Sequence, residues 1–238
     1  FQVSESNPLV GLEERAELLN KLGWALMEHK HIFEFRGALR PGNLYDYFLQ
    51  RQEKGVLAAR EILIAILEGM GEVWPDGSWV DSIAIGDAAY HEAVKRSDIT
   101  DGIVPFHKLS QWMSYSLIEP LQVAGIKIID LDALTGLAEY RNGGLFIDTG
   151  TISLRDKTQM EKVHDPKSPL IVEWRALTVT LLDQLAEQIR LHTNTNSESM
   201  PLVSILQGGT WSAGRRIAQR LRADASPPLR LKSRGTIF

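Results

Sequence analysis

The sequence contains no cysteine, so disulfides, thiolate metal sites and a thiol nucleophile are excluded at the outset. It also lacks a long apolar run. Spanning a bilayer takes roughly 18 to 20 such residues, and Glu173 and Arg175 interrupt the longest candidate. No signal-peptide pattern opens the chain, so a soluble protein of a reducing compartment, the cytoplasm, is the expectation. Net charge is also small, at −4 with a pI near 5.9, which provides no broad field for attracting nucleic acid. Metal motifs are absent too: His29 and His31 stand two apart and cannot share a helical face, and no His-Glu-x-x-His run appears. No serine sits in a nucleophile-elbow pattern, and no repeat or low-complexity tract is visible. No metal and no cofactor are expected.

What is present is helical periodicity. With 238 residues and 44% hydrophobic content the chain can bury a substantial core, and it reads as one helical domain over residues 1–238. It begins at Phe1 rather than methionine, and Phe1 to Pro8 resembles an interior linker, so a piece of a longer protein is expected. Leu12, Ala16, Leu19, Leu22 and Leu26 form one apolar stripe, and Leu57, Ile62, Ile66 and Met70 suggest another. Asn43 is placed to cap a short helix from Leu44 to Gln50, after the breaker Pro41-Gly42. The run Val73 to Trp79 reads as a turn, and Asp87 is placed to cap a helix reaching Arg96.

A helix from His107 to Glu119 is expected to stop at Pro120, and a second, from Asp132 to Arg141, to end at the left-handed terminator Gly143. The longest helix, Pro169 to His192, is apolar nearly all round in its first half and belongs at the centre. The polar loop from Asn194 to Ser199 separates it from a last helix, Thr210 to Arg222. Strand candidates are sparse: Ile126 to Asp130, Leu145 to Leu154, and the tail Leu229 to Phe238. The fold class is therefore all-α, or mostly so, with at most a few short strands.

The chemistry concentrates between Pro105 and Asp148. Lys108 falls in the first turn of its helix, where the dipole disfavours a cation by a few tenths to about 1 kcal/mol. Such a lysine, with His107 and the free amides of that turn, can hold an anion or protonate a leaving group, although a solvated lysine is the plainer reading. On the expected second helix Glu139 borders the buried stripe, and Gly143-Gly144 opens the backbone to a ligand. A surface glutamate before a glycine cap is the alternative there. Asp148 is a second candidate carboxylate, or else a turn cap. Glu173 and Arg175 interrupt an apolar helix and need partners, either in a structural network or in a pocket. Arg36 with Arg40 around Gly37, and Gly208-Gly209-Thr210 before Arg215 and Arg216, are weak phosphate-binding patterns.

A family resemblance joins these pieces. Phe35-Arg36-Gly37 through Arg40-Pro41-Gly42, Pro105 to Trp112, Leu134 to Gly144, Glu173 to Thr178 and Gly208 to Trp211 together resemble the URC4/Urg3 uracil-catabolism family over essentially the whole chain. Members are longer at the amino end, which makes this sequence their carboxy-terminal part. The family serves a fungal and bacterial route in which uracil becomes a nucleotide, its ring is opened by a cyclohydrolase-like enzyme, and urea is released.

A more distant similarity is to queuosine-nucleotide N-glycosylases, whose helical fold is related to DNA glycosylases. Lys108 with Gln111, Glu139 with Tyr140-Arg141, and Glu173 with Arg175-Ala176 match their motifs in order, with glutamate at 139 where those enzymes have aspartate. The resemblance implies an N-glycosidase acting on a small nucleoside or nucleotide derivative, a ring-opened ribosylurea or its 5′-phosphate, with urea as product. Glu139 and Lys108 would be catalytic, and His107, Gln111, Trp112, Arg141, Asp148, Glu173, Arg175, Arg36 and Arg40 would surround the substrate. A queuosine-type glycosylase, with aromatic walls for a large base, and a noncatalytic helical partner of a pyrimidine-catabolic enzyme are the alternatives.

Overall fold

The computed structural model describes residues 2–9, 11–74 and 77–232. It is mostly helical, with short strands paired in two-stranded sheets. The amino-terminal half builds one apolar core. Helices α1 (Leu12–Glu28), α2 (Lys30–Phe33), α3 (Leu44–Arg51) and α4 (Ala59–Met70) meet there, and hairpin β1 (Glu34–Phe35) and β2 (Ala38–Leu39) links α2 to α3. Phe33, Phe48, Ile62 and Ile66 are fully buried at its centre, and Ile118, Leu121 and Leu134 close it from the far side. Strand β3 (Val56–Ala58) runs into α4 and pairs in parallel with β8 (Lys127–Ile129), the strand expected from Ile126 to Asp130.

Two antiparallel pairs follow α4: β4 (Ser78–Val80) with β5 (Ile83–Gly86), and β6 (Ala88–Tyr90) with β7 (Ile103–Pro105). The helix expected from Asp87 to Arg96 is therefore a correction. Ala88 and Ala89 are buried in a strand, and Asp87 lies between β5 and β6. The turn expected at Val73 to Trp79 falls partly outside the described residues, at Pro75 and Asp76; Ser78 and Trp79 are already in β4.

Helix α5 (Lys108–Val123) runs through Pro120 and ends one turn later, at Gly125 with φ 94°. The expected stop at Pro120 is thus a second correction: one missing N–H does not end a helix whose buried face, through Ile118 and Leu121, still continues. Asn43 is not a cap either. Its amide donates to the Phe33 and Ala38 carbonyls, each at 2.7 Å, and so ties the β1–β2 turn to α3.

The largest departure lies between residues 131 and 148. A single 3₁₀ turn, Leu131–Ala133, gives way to an extended segment, and α6 (Tyr140–Asp148) starts where the expected helix should have ended. The extended backbone is satisfied from outside. Gln111 Oε1 accepts from the Thr135 amide at 3.2 Å, Tyr115 donates to the Thr135 carbonyl at 3.0 Å, and Arg175 Nε donates to the Ala138 carbonyl at 3.3 Å. With partners supplied by α5 and α7, the segment loses nothing by not being a helix. Gly143 and Gly144 are consequently interior to α6, and the expected strand from Leu145 is its second half.

Helix α7 (Pro169–Thr193) is the long helix the sequence indicated, ending at the left-handed Asn194, but its expected enclosure is a correction: Glu173, Leu177 and Thr180 form an exposed stripe along its first half. Against it pack α6 and α8 (Leu202–Ile205), with Leu182, Ala186, Phe146 and Leu206 in the shared core, and α9 (Trp211–Leu221) lies along α6. A π-helical turn, Leu206–Thr210, joins α8 to α9. Helix α9 crosses α6 at Gly214, where a Cβ would overlap the Arg141 carbonyl oxygen. In the expected tail strand, β10 (Arg230–Leu231) pairs in parallel with β9 (Val163–His164), and residues from 233 onward lie outside the described set. Among the described residues no helix is long and apolar enough to cross a membrane.

Candidate active site

The start of α5, the start of α6 and the middle of α7 converge on a buried charge cluster. Its anchor is Asp87, which the sequence reading had placed as a cap on its own following helix. Its carboxylate instead caps α5, accepting the Lys108 amide at 3.0 Å, while its carbonyl accepts the Phe106 and His107 amides, both at 2.9 Å. Arg175 grips the same carboxylate with two N–H bonds, at 2.9 and 2.7 Å, and lies over the Phe106 ring at 4.0 Å. Burial alone would raise the Asp87 carboxyl; the guanidinium overrides it and holds the group below the usual range. The partner that a charge within an apolar helix requires is therefore found for Arg175. Glu173, beside it, is exposed and lines a separate hollow with Arg155 and Gln159.

Lys108 is only 5% exposed. Burial, with the positive Arg175 nearby, pushes its amine down to about 8, although Asp87 and Glu139 both favour its charged form. Glu139 is the N-cap of α6, accepting the Arg141 amide at 2.7 Å and the Asn142 amide at 2.5 Å. Those bonds and the Lys108 charge favour its ionised form, but burial outweighs them and raises the carboxyl above the ordinary value. The two groups thus lie close enough for each charge to move the other's proton affinity, and both pKa values shift toward neutrality. Clustering of such shifts is typical of sites that transfer protons. Each Glu139 oxygen has a second lone pair, so capping leaves capacity for a water molecule.

His107 completes the turn in a left-handed conformation, φ 49°. Burial lowers its imidazole, which is neutral at pH 7, and its Nδ1 is buried without a hydrogen-bond partner. Gln111 does not reach toward the charges but holds the segment that delivers Glu139. Arg141 donates to the Ala225 carbonyl at 2.7 Å, while its charge, like that of Lys108, favours the ionised form of Glu139. Asp148 lies at the other end of α6, paired with Arg222 through bonds of 2.8 and 2.5 Å. Arg36 stacks on Phe35 and Arg40 donates to Asn43, both in the β1–β2 region, and no described contact joins either to Lys108 or Glu139. Trp112, 58% exposed, faces a cleft with Tyr115, Leu137 and Asn142.

The structure therefore assembles Lys108, Glu139, His107 and Arg175, adds Asp87, and distributes the other candidates elsewhere. Asp87 was missed as a site residue because nothing near it in sequence signals its role. Its one trace is the need of Arg175 for an acid.

The model of the family described as "Protein of unknown function (DUF1688)" matches residues 1–238. The chain belongs to this family. It is 37% identical over 265 residues to "Uracil catabolism protein 4" of Lachancea kluyveri, covering all of this chain and 59% of that protein. It is also 37% identical over 241 residues to "Protein urg3" of Schizosaccharomyces pombe, covering all of this chain and 57% of the relative. The chain thus spans less than two thirds of the length of these relatives, one of which is named for uracil catabolism. A shorter similarity, 32% over 91 residues, relates 38% of the chain to 24% of a "Queuine tRNA-ribosyltransferase" of Pseudomonas syringae.

Proposed function

We propose that this chain carries the catalytic residues of an N-glycosidase in uracil catabolism, hydrolysing the C1–N bond of a ring-opened ribosylurea or its 5′-phosphate. Water is consumed, and urea and the free sugar are released. The observation that carries this reading is the electrostatically coupled pair Lys108 and Glu139, a buried amine lowered to about 8 and a buried carboxyl raised above its ordinary value.

Cleavage of such a bond passes through an oxocarbenium-like state. Glu139 stabilises the developing positive charge and takes a proton from the attacking water, while Lys108 delivers a proton to the departing ureido nitrogen. A carboxyl with a raised pKa is the stronger base, and an amine with a lowered pKa the stronger acid. Asp87 and Arg175 hold the frame: Asp87 fixes the amide of Lys108, and Arg175 bridges Asp87 to the carbonyl preceding Glu139.

The test is urea release from ribosylurea and ribosylurea 5′-phosphate by the full-length protein. Glu139→Gln should lower turnover at least about 100-fold while circular dichroism shows the fold retained. Glu139→Ser, which keeps a helix cap, should be equally inactive. Undiminished turnover in either variant would remove Glu139 from the mechanism.

A further inference from the structure

We infer that the cleft between α5 and the α8–α9 turn is a built binding site for a planar cyclic amide, a ring of the pyrimidine-dione type. The inference concerns binding and stands apart from which bond is cleaved. The cleft has a volume of about 400 Å³. One wall is a single face of α5, on which Trp112, Tyr115 and Glu119 recur at helical spacing. Trp211, the first residue of α9, also lines it, and Leu137 and Leu206 add apolar surface. Two large indoles are left 58% and 43% exposed, at Trp112 and Trp211, where an aromatic ring can stack.

Beneath these aromatics the hydrogen-bonding is incomplete. Asn142 lines the cleft, is 1% exposed, and has an Oδ1 with no partner. Thr210 lies between the lining residues Gln207 and Trp211, is 3% exposed, and its Oγ1 is likewise unpartnered. A buried amide oxygen without a donor costs about 1 to 3 kcal/mol and is uncommon in folded proteins. Two in or beside one aromatic-walled cleft point to a ligand that supplies the missing bonds. A lactam edge, with C=O beside N–H, satisfies the Asn142 amide in either orientation and gives a hydroxyl both a donor and an acceptor. The π-helical turn that carries Gln207 and Thr210 has a geometry frequent at ligand sites.

The chemistry of the walls selects the ring over a phosphate. Glu119 carries the one formal charge among the described residues that line the cleft and would repel an anion. The cleft adjoins the charge cluster through α6, since the backbone N–H of Asn142 donates to Glu139 Oε1 at 2.5 Å.

The experiment is binding to the full-length protein, read by tryptophan fluorescence and calorimetry, with uracil, uridine 5′-monophosphate, 1,3-dimethyluracil and N-methylurea as probes. Saturable quenching by uracil or the nucleotide is expected, with the tighter of the two identifying a free base or a nucleotide as the occupant. Dimethyluracil keeps the ring but lacks the N–H donors, and should bind at least tenfold more weakly. In Asn142→Leu that discrimination should vanish. Trp211→Ala and, on the opposite wall, Trp112→Ala should each weaken uracil binding at least tenfold; their exposure makes both tolerable to the fold.

Equal binding of uracil and dimethyluracil to the wild-type protein would overturn the inference, as would equal binding of N-methylurea or the absence of binding by any ring. Ring binding without hydrolysis of any riboside would leave this site standing and refute the glycosidase reading. Urea release without ring binding would do the reverse.

Discussion

Replacing Lys108 with methionine should make the protein more stable and less active. The ammonium sits in a region only 5% exposed, and its pKa falls from 10.5 to about 8. Each pKa unit corresponds to about 1.4 kcal/mol between protonation states, so the charged amine costs the folded protein roughly 3 kcal/mol at neutral pH. Below about 8 the amine is charged in both folded and unfolded states, and the penalty is complete. Between about 8 and 10.5 the folded protein loses the proton first, so stability from this group rises with pH and the penalty fades.

Methionine is unbranched, one atom shorter than lysine, and brings no charge. It leaves Asp87 with its Arg175 partner and with the backbone amide of residue 108, and leaves Glu139 capping α6. Urea denaturation followed by circular dichroism should therefore show a gain of about 1 to 3 kcal/mol at pH 7, shrinking above pH 9. Turnover of ribosylurea, the substrate proposed above, should fall at least about 100-fold. A variant less stable than wild type at pH 7 would refute the reasoning, because the lysine would then be a structural member of the ion network.

The rate of glycoside hydrolysis should be bell-shaped in pH. It should fall on the alkaline side near 8 as Lys108 loses its proton, and on the acid side above the ordinary carboxylate value as Glu139 gains one; a profile flat through pH 8 would contradict the role of Lys108. Asp87→Asn leaves the Arg175 guanidinium buried without its counterion and should destabilise the protein by about 3 to 5 kcal/mol in chemical denaturation. Gly214→Ala should cost about 1 to 3 kcal/mol by forcing α9 away from the Arg141 carbonyl, measured as a lower melting temperature.

The helices whose burial is periodic were readable in sequence. Pro169–Thr193 is an example in its extent, since it begins at the expected proline and ends within a residue of the expected His192, although the stripe through Glu173, Leu177 and Thr180 stays exposed. Residues 131–148 were not readable. Leu134, Leu137 and Ala138 are spaced for a helix, yet side chains 20 or more residues away, Gln111, Tyr115 and Arg175, take the backbone hydrogen bonds that a helix would have made for itself. The choice of Lys108 and Glu139 as the proposed reacting pair came only through family resemblance, since a lysine at a helix start and a glutamate before two glycines each have a plainer reading alone.

By itself, then, the sequence determined that the chain is mostly helical, with one long helix in its second half, and that Lys108 and Glu139 belong to motifs that go together. Only the tertiary structure decided that Glu139 opens a helix rather than ending one, and that Asp87 joins three elements. It alone also shifted the amine and carboxyl toward neutrality. The physical reason is one of range. Apolar periodicity is a local property written along the chain, whereas desolvation and ion pairing depend on what the rest of the molecule places around each charge.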